Sequence, residues 1–178
     1  MITVFLAEGF EEIEALAPVD ILRRAGLAVQ TIGVTGKTVT GARGITVTAD
    51  LRIEDAKKAD NLRAVVLPGG MPGTRNLANA PDVIDFLHFA YDRGLLIAAI
   101  CAAPSVIGRL GFLAQKRATC FPGYEKDLRG AVITGERVVR DGRFITGKGA
   151  GASIAFALEI VTALVSAEKA DSIRDSLQ

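Results

Sequence analysis

The sequence predicts an α/β layered domain with a mostly parallel central sheet flanked by helices. Three observations carry that prediction: short uninterrupted apolar runs, helical segments set between them, and glycine stops where the helices end. The apolar runs are Ile2 to Ala7, Leu27 to Val34, Ala64 to Leu67 and Leu95 to Ile100. Each is continuous rather than alternating, which suits strands buried on both faces. Between them, Glu11 to Ala25 closes at Ala25-Gly26 and Pro81 to Arg93 closes at Arg93-Gly94, both helix C-cap signals with cations near the final turn.

Two stretches break the rhythm. Lys37 to Thr48 (KTVTGARGITVT) and Arg137 to Ile145 read as β-hairpins, and the Asp141-Gly142 pair in the second predicts a type I′ turn. From Gly149 onward, Ala, Ile, Leu and Val recur at helical spacing and predict a closing helix pair. No repeat, linker or low-complexity segment divides the chain, so residues 1–178 are expected to form one domain.

Composition narrows the chemistry. The 178 residues are 49% hydrophobic, with 21 basic against 20 acidic side chains, a net charge of +1 and 6% aromatics. That balance provides no electrostatic footprint for nucleic acid. The amino terminus, MITVFLAEGF, lacks a basic n-region, and its apolar run is too short to span a bilayer, so a cytoplasmic protein without a membrane anchor is expected. Two cysteines, Cys101 and Cys120, are too few for a disulfide framework. One histidine, His88, leaves no Cys/His metal cluster, so neither a metal nor a cofactor is expected.

Ligands of parallel sheets bind outside the carboxyl ends of the strands. The first run leads into four carboxylates, Glu8, Glu11, Glu12 and Glu14. The third ends in Pro68-Gly69-Gly70, and the fourth in Cys101. Cys101 can be a small buried core residue. It also precedes Ala-Ala-Pro, a helix opening whose unpaired N–H groups favour thiolate. The order strand, nucleophile, helix matches a hydrolase elbow, with Ala99 and Ala103 in place of the glycines.

A thiolate needs a proton partner. His88 sits mid-helix, away from any strand end, and reads as a solvated or packed residue. A glutamic acid from the first loop is the remaining candidate, but helix-dipole complementarity accounts for Glu11, Glu12 and Glu14 equally well. Gly69-Gly70 reads as a tight turn, or as the source of an oxyanion-binding amide. Gly147 to Ala152 fits G-x-G-x-x-A, yet no second βα unit follows it, which argues against a dinucleotide site.

Four segments occur in order along the chain: AEGFEEIEALAPVDILRRAG, VVLPGGMPGTRNL, LIAAICAAPSVI and GKGAGASIAFALEIV. Together they resemble the ThiJ/PfpI superfamily, in the branch of the Parkinsonism-associated deglycase and the bacterial YajL-type proteins. The resemblance implies a flavodoxin-like three-layer sandwich and a homodimer. It places the reactive cysteine on Cys101, a protonated acid on Glu14 and backbone oxyanion donors on Gly70 and Ala102, and it turns Arg24 and Arg43 toward the dimer interface and the site. One departure stands out: Phe121 occupies the position where some members carry a catalytic histidine. Cys120 beside it then reads as structural.

The implied function is a cysteine-dependent enzyme of glyoxalase III or protein deglycase type, acting on reactive 2-oxoaldehydes or glycated amines. The alternative is an oxidative-stress sensor or chaperone whose cysteine becomes a sulfinate. Peptide hydrolysis, as in PfpI-type relatives, would need a Cys-His pair, and Ala102 stands there instead.

Overall fold

In the computed structural model, which describes residues 1–177, the chain begins with β1 (Ile2–Leu6), α1 (Glu12–Arg24) and β2 (Val29–Gly33). A hairpin of β3 (Thr38–Thr40) and β4 (Thr46–Thr48) follows, then β5 (Leu51–Arg52), β6 (Ala64–Leu67), α2 (Gly73–Ala78) and α3 (Pro81–Asp92). Next come β7 (Leu96–Ile100), α4 (Pro104–Arg109), β8 (Arg117–Ala118) and β9 (Val132–Ile133). The chain closes with β10 (Val138–Asp141), β11 (Phe144–Gly147), α5 (Ser153–Leu164) and α6 (Ala167–Ser176).

Seven strands form the main sheet in the order β10-β11-β7-β6-β1-β2-β5. Every neighbouring pair is parallel except β10 with β11. The expected runs are therefore strands, Ala64–Leu67 over the same residues and the other three trimmed by one or two residues at one or both ends. Their alternate side chains feed two cores. Val4, Val66 and Ala98 pack with Leu22 of α1, Phe156 of α5 and Ile173 of α6, while Phe5, Val65 and Ile97 pack with Leu87 of α3 and Ile107 of α4. Three layers result, and burial on both faces is why these strands read as continuous apolar runs.

After β1 the chain steps outward to β2, then returns to place β6 and β7 on the other side of β1. This reversal opens a crevice at the carboxyl ends of β1 and β6, where open α/β sheets bind ligands. The three strand ends singled out from the sequence, those of β1, β6 and β7, are adjacent.

One expectation needs correcting. The β10–β11 hairpin forms, but Asp141 pairs with Phe144, so the two loop residues are Gly142 and Arg143 rather than Asp141 and Gly142. Gly142 has φ +59°, and the only non-glycine residues with positive φ among those described are Cys101 and Gln115. Glycine at the first central position alone with φ > 0 is the signature of a type II′ turn, not type I′. The short strands β5, β8 and β9 carried no sequence signal of their own.

Candidate active site

Cys101 directly follows β7 and adopts φ +65°, a left-handed conformation that costs a β-carbon residue about 1 kcal/mol. Backbone hydrogen bonds hold it there: its N–H donates to the Gly147 carbonyl at 2.8 Å, and its carbonyl accepts from Phe121 N–H at 2.7 Å. Both neighbours lie far along the chain. The strained turn is thus imposed by tertiary contacts, and it lifts the thiol out of the sheet into the crevice.

The Gly70 and Ala102 amides both donate to the Cys101 sulfur. Glu14, in the first turn of α1, is 1% exposed, and its Oε2 accepts the Gly69 N–H at 3.0 Å. It also hydrogen-bonds Cys101. Glycine is required between these groups. A Cβ on Gly69 would lie 2.5 Å from Glu14 Oε2 and 2.6 Å from Cys101 Cβ, and a Cβ on Gly70 (φ +90°) would lie 2.4 Å from Glu11 N.

Glu11, Glu12 and Glu14, which residue spacing left equivalent, and the neighbouring Glu8 have four different tasks. Glu8 accepts from Thr40 N–H at 3.0 Å. Glu11 faces the Arg43 guanidinium at 3.7 Å. The buried Glu12 holds the hairpin tip, accepting Arg43 N–H at 2.7 Å and Ile45 N–H at 3.4 Å. Glu14 alone reaches the thiol.

Burial pushes the Glu14 carboxyl up to about 7, against the lowering effect of its hydrogen bonds to Cys101 and Gly69. The Cys101 thiol is also pushed up, to about 12, by burial first and then by the negative charge and hydrogen bond of Glu14. Desolvation therefore outweighs the helix opening, whose α4 has only six residues, and the expected low thiol pKa does not follow from the fold. Two of the three causes raising Cys101 vanish once Glu14 carries a proton. The thiolate is thus favoured only together with a protonated Glu14, by a proton passing from sulfur to carboxylate.

These residues line a cavity of 350 Å³ that also includes Arg43, Met71, Phe121 and Tyr124. Arg43 therefore stands at the site, while Arg24 lies on the exposed side of α1, paired with Asp20 at 2.7 Å. His88 is exposed on α3 and packs edge-on against Phe112. Cys120 is buried in the core, its thiol raised to about 11 by burial and then by Glu125 and Asp127. Met71 and Tyr124 are lining residues that sequence reasoning missed. Met71, beside the Gly-Gly turn, had a positional signal, and Tyr124 had none.

A thiol at a strand-to-helix elbow, a buried glutamate and two convergent amides define a cysteine-elbow class within flavodoxin-like α/β folds. The chain belongs to the DJ-1/PfpI family, whose model matches residues 1–163. It is 39% identical over 178 residues to the Parkinson disease protein 7 homolog of Danio rerio, covering 98% of this chain and 94% of that protein. The glutathione-independent glyoxalase DJR-1.2 of Caenorhabditis elegans is 35% identical over 168 residues, with 93% and 89% covered. Among solved structures, a DJ-1 superfamily protein from Salmonella typhimurium superposes with TM-score 0.93 at 35% identity over 99% of this chain and 96% of that one. Toxoplasma gondii DJ-1 in an oxidized form superposes with TM-score 0.94 at 31% identity, with the same two coverages. Among the described residues, no helix is long and apolar enough to cross a membrane.

Proposed function

We propose that the protein is a single-domain, cytoplasmic, homodimeric enzyme that converts reactive 2-oxoaldehydes, or their early adducts on amines, into 2-hydroxy acids. The observation that carries this reading is the contact of Glu14 with Cys101 beneath the Gly70 and Ala102 amides. The name of the Caenorhabditis elegans relative, a glutathione-independent glyoxalase, supports the reaction class.

Glu14 carboxylate takes the thiol proton as the sulfur adds to the aldehyde carbon. A C–S bond forms, and the carbonyl π pair moves to oxygen, where the two amides receive it. Glu14 returns the proton to that oxygen to give a hemithioacetal. It then removes the proton from that carbon to give an enediolate and delivers it to the adjacent carbon, while the hemithioacetal O–H proton passes to the former ketone oxygen, leaving the thioester of a 2-hydroxy acid. Water releases the 2-hydroxy acid and regenerates the thiol. The sum is 2-oxoaldehyde plus water giving 2-hydroxy acid, with no external oxidant; an early adduct enters the same sequence once the free amine has left and the aldehyde carbonyl has re-formed.

Conversion of methylglyoxal to lactate by wild type, lost in Cys101→Ser and reduced at least about a hundredfold in Glu14→Gln, is the expected result. Equal turnover by Cys101→Ser would sink the reading. The homodimer reading rests on the family resemblance, and exposed Ile13 on α1 and Ile45 in the loop of the β3–β4 hairpin, 55% and 53% accessible, offer apolar surface that a partner would cover. Sedimentation velocity should show a dimer that Ile13→Glu weakens.

A second reading is favoured by the same glutamate. A carboxyl raised to about 7 can donate a hydrogen bond to a Cys101 sulfinate, as a redox sensor requires. Gain of two oxygens confined to Cys101 under mild peroxide, in a protein without methylglyoxal turnover, would select it.

A further inference from the structure

Beside the thiol cavity lies a smaller one of 180 Å³, and Met71 and Tyr124 line both. Thr74, Arg75, Ser105 and Arg109 complete its polar lining. Thr74 is 4% exposed, and its hydroxyl has no hydrogen-bond partner among the described residues. A buried hydroxyl left unpaired is costly, so it points to a missing acceptor. Ser105 is already committed, since its hydroxyl donates to the Ala102 carbonyl at 2.6 Å.

The charges around this cavity point to the same kind of ligand. Arg75 makes no ion pair among the described residues. Arg109 gives Nη2 to Asp127 at 2.9 Å, and its other N–H groups have no partner among the described residues. Among the described residues, no carboxylate lines the cavity itself. Its volume is below that of pockets for drug-sized molecules and suits a compact group of oxygens.

We propose that this cavity is a subsite for a small oxyanion, a carboxylate or a phosphate, bound by the Thr74 hydroxyl and the Arg75 and Arg109 guanidinium groups. Guanidinium N–H groups match both ligands. The subsite is coupled to the thiol site, because Thr74 N–H donates to the Gly70 carbonyl at 2.8 Å and Gly70 supplies one of the amides on Cys101. Only the source of the anion rests on the proposed reaction, whose 2-hydroxy acid product carries a carboxylate.

Calorimetric titration of the full chain with inorganic phosphate and, separately, with lactate tests the proposal. At least one ion should bind at a single site, and Arg75→Ala and Arg109→Ala should each weaken it about tenfold. Thr74→Val should weaken binding too, while its melting temperature without the ion stays equal to or above that of wild type. Phosphate binding without lactate binding assigns the subsite to phosphate-bearing ligands. Lactate binding that slows Cys101 alkylation by iodoacetamide assigns it to the product. Cys101→Ser should bind the ions as wild type does, which separates this test from the carbonyl chemistry. No binding of either ion, or binding unchanged in both Thr74→Val and Arg75→Ala, overturns the proposal.

Discussion

The Glu14 carboxylate accepts the Gly69 amide at 3.0 Å and hydrogen-bonds Cys101, so one buried acid ties the end of β6 to the elbow after β7. The two groups titrate as a pair. Removing the first proton, near pH 7, yields a monoanion in which the remaining proton sits on either sulfur or carboxylate.

Alkylation of Cys101 by iodoacetamide should therefore rise through a midpoint near 7 in wild type, because the thiolate and glutamic acid form belongs to that monoanion. In Glu14→Gln the thiol titrates alone, and burial holds it above the ordinary value of 9.0. Rates measured by peptide mapping against pH should show the alkaline shift. Superimposable profiles would refute the pairing.

Stability should follow the sign of the Glu14 shift. Its folded value, about 7, lies above its ordinary value of 4.5, so its protonated form favours folding below 4.5 and that contribution is lost as pH rises through 7. The difference between wild type and Glu14→Gln in urea unfolding should move against wild type by about 3 kcal/mol from pH 4 to pH 8. A pH-independent difference would contradict the burial argument.

Gly69→Ala should cost at least about 2 kcal/mol and abolish Cys101 reactivity together, since its Cβ would meet both Glu14 Oε2 and Cys101 Cβ. Thermal denaturation and alkylation read the two effects. Loss of stability with normal reactivity would mean that the turn accommodates the methyl group by moving away from the site.

Glu12→Ala removes the acceptor for the Arg43 and Ile45 amides at the hairpin tip. A cost of about 1–3 kcal/mol is expected, tempered by loss of the buried Glu12 Oε2, which has no partner among the described residues. Hydrogen exchange should quicken across residues 41–46, and unchanged protection there would exclude the clamp.

Phe121 lines the thiol cavity where some family members carry histidine. Phe121→His offers an imidazole as a second proton carrier, and methylglyoxal kcat should rise at least about tenfold. No gain would show that Glu14 and water already carry the proton traffic.

The fold was legible in the sequence to the extent that its signals were local. The run Ala64–Leu67, the helix from Pro81 and the cysteine at the end of β7 all fall where periodicity and capping put them. The hairpin turn did not, because Asp-Gly is compatible with more than one register and strand pairing moved the loop by one residue. The two-residue strands β5, β8 and β9 have no periodicity to read. At the site, Cys101, Gly70 and Ala102 were suggested by strand ends, whereas Glu14 came from family resemblance rather than from spacing.

The sequence alone determined the layered α/β architecture and the positions of its elbow and Gly-Gly turn, because apolar runs and turn residues act over a few neighbours. Tertiary structure decided how Glu11, Glu12 and Glu14, equivalent by spacing, divide their tasks, and it buried both Glu14 and Cys101 so that each holds its proton more tightly. Glu14 and Cys101 are remote along the chain and meet only because β1, β6 and β7 lie side by side. Desolvation depends on what surrounds a group in space. The thiol that its helix opening would ionise is held protonated until Glu14 takes its proton.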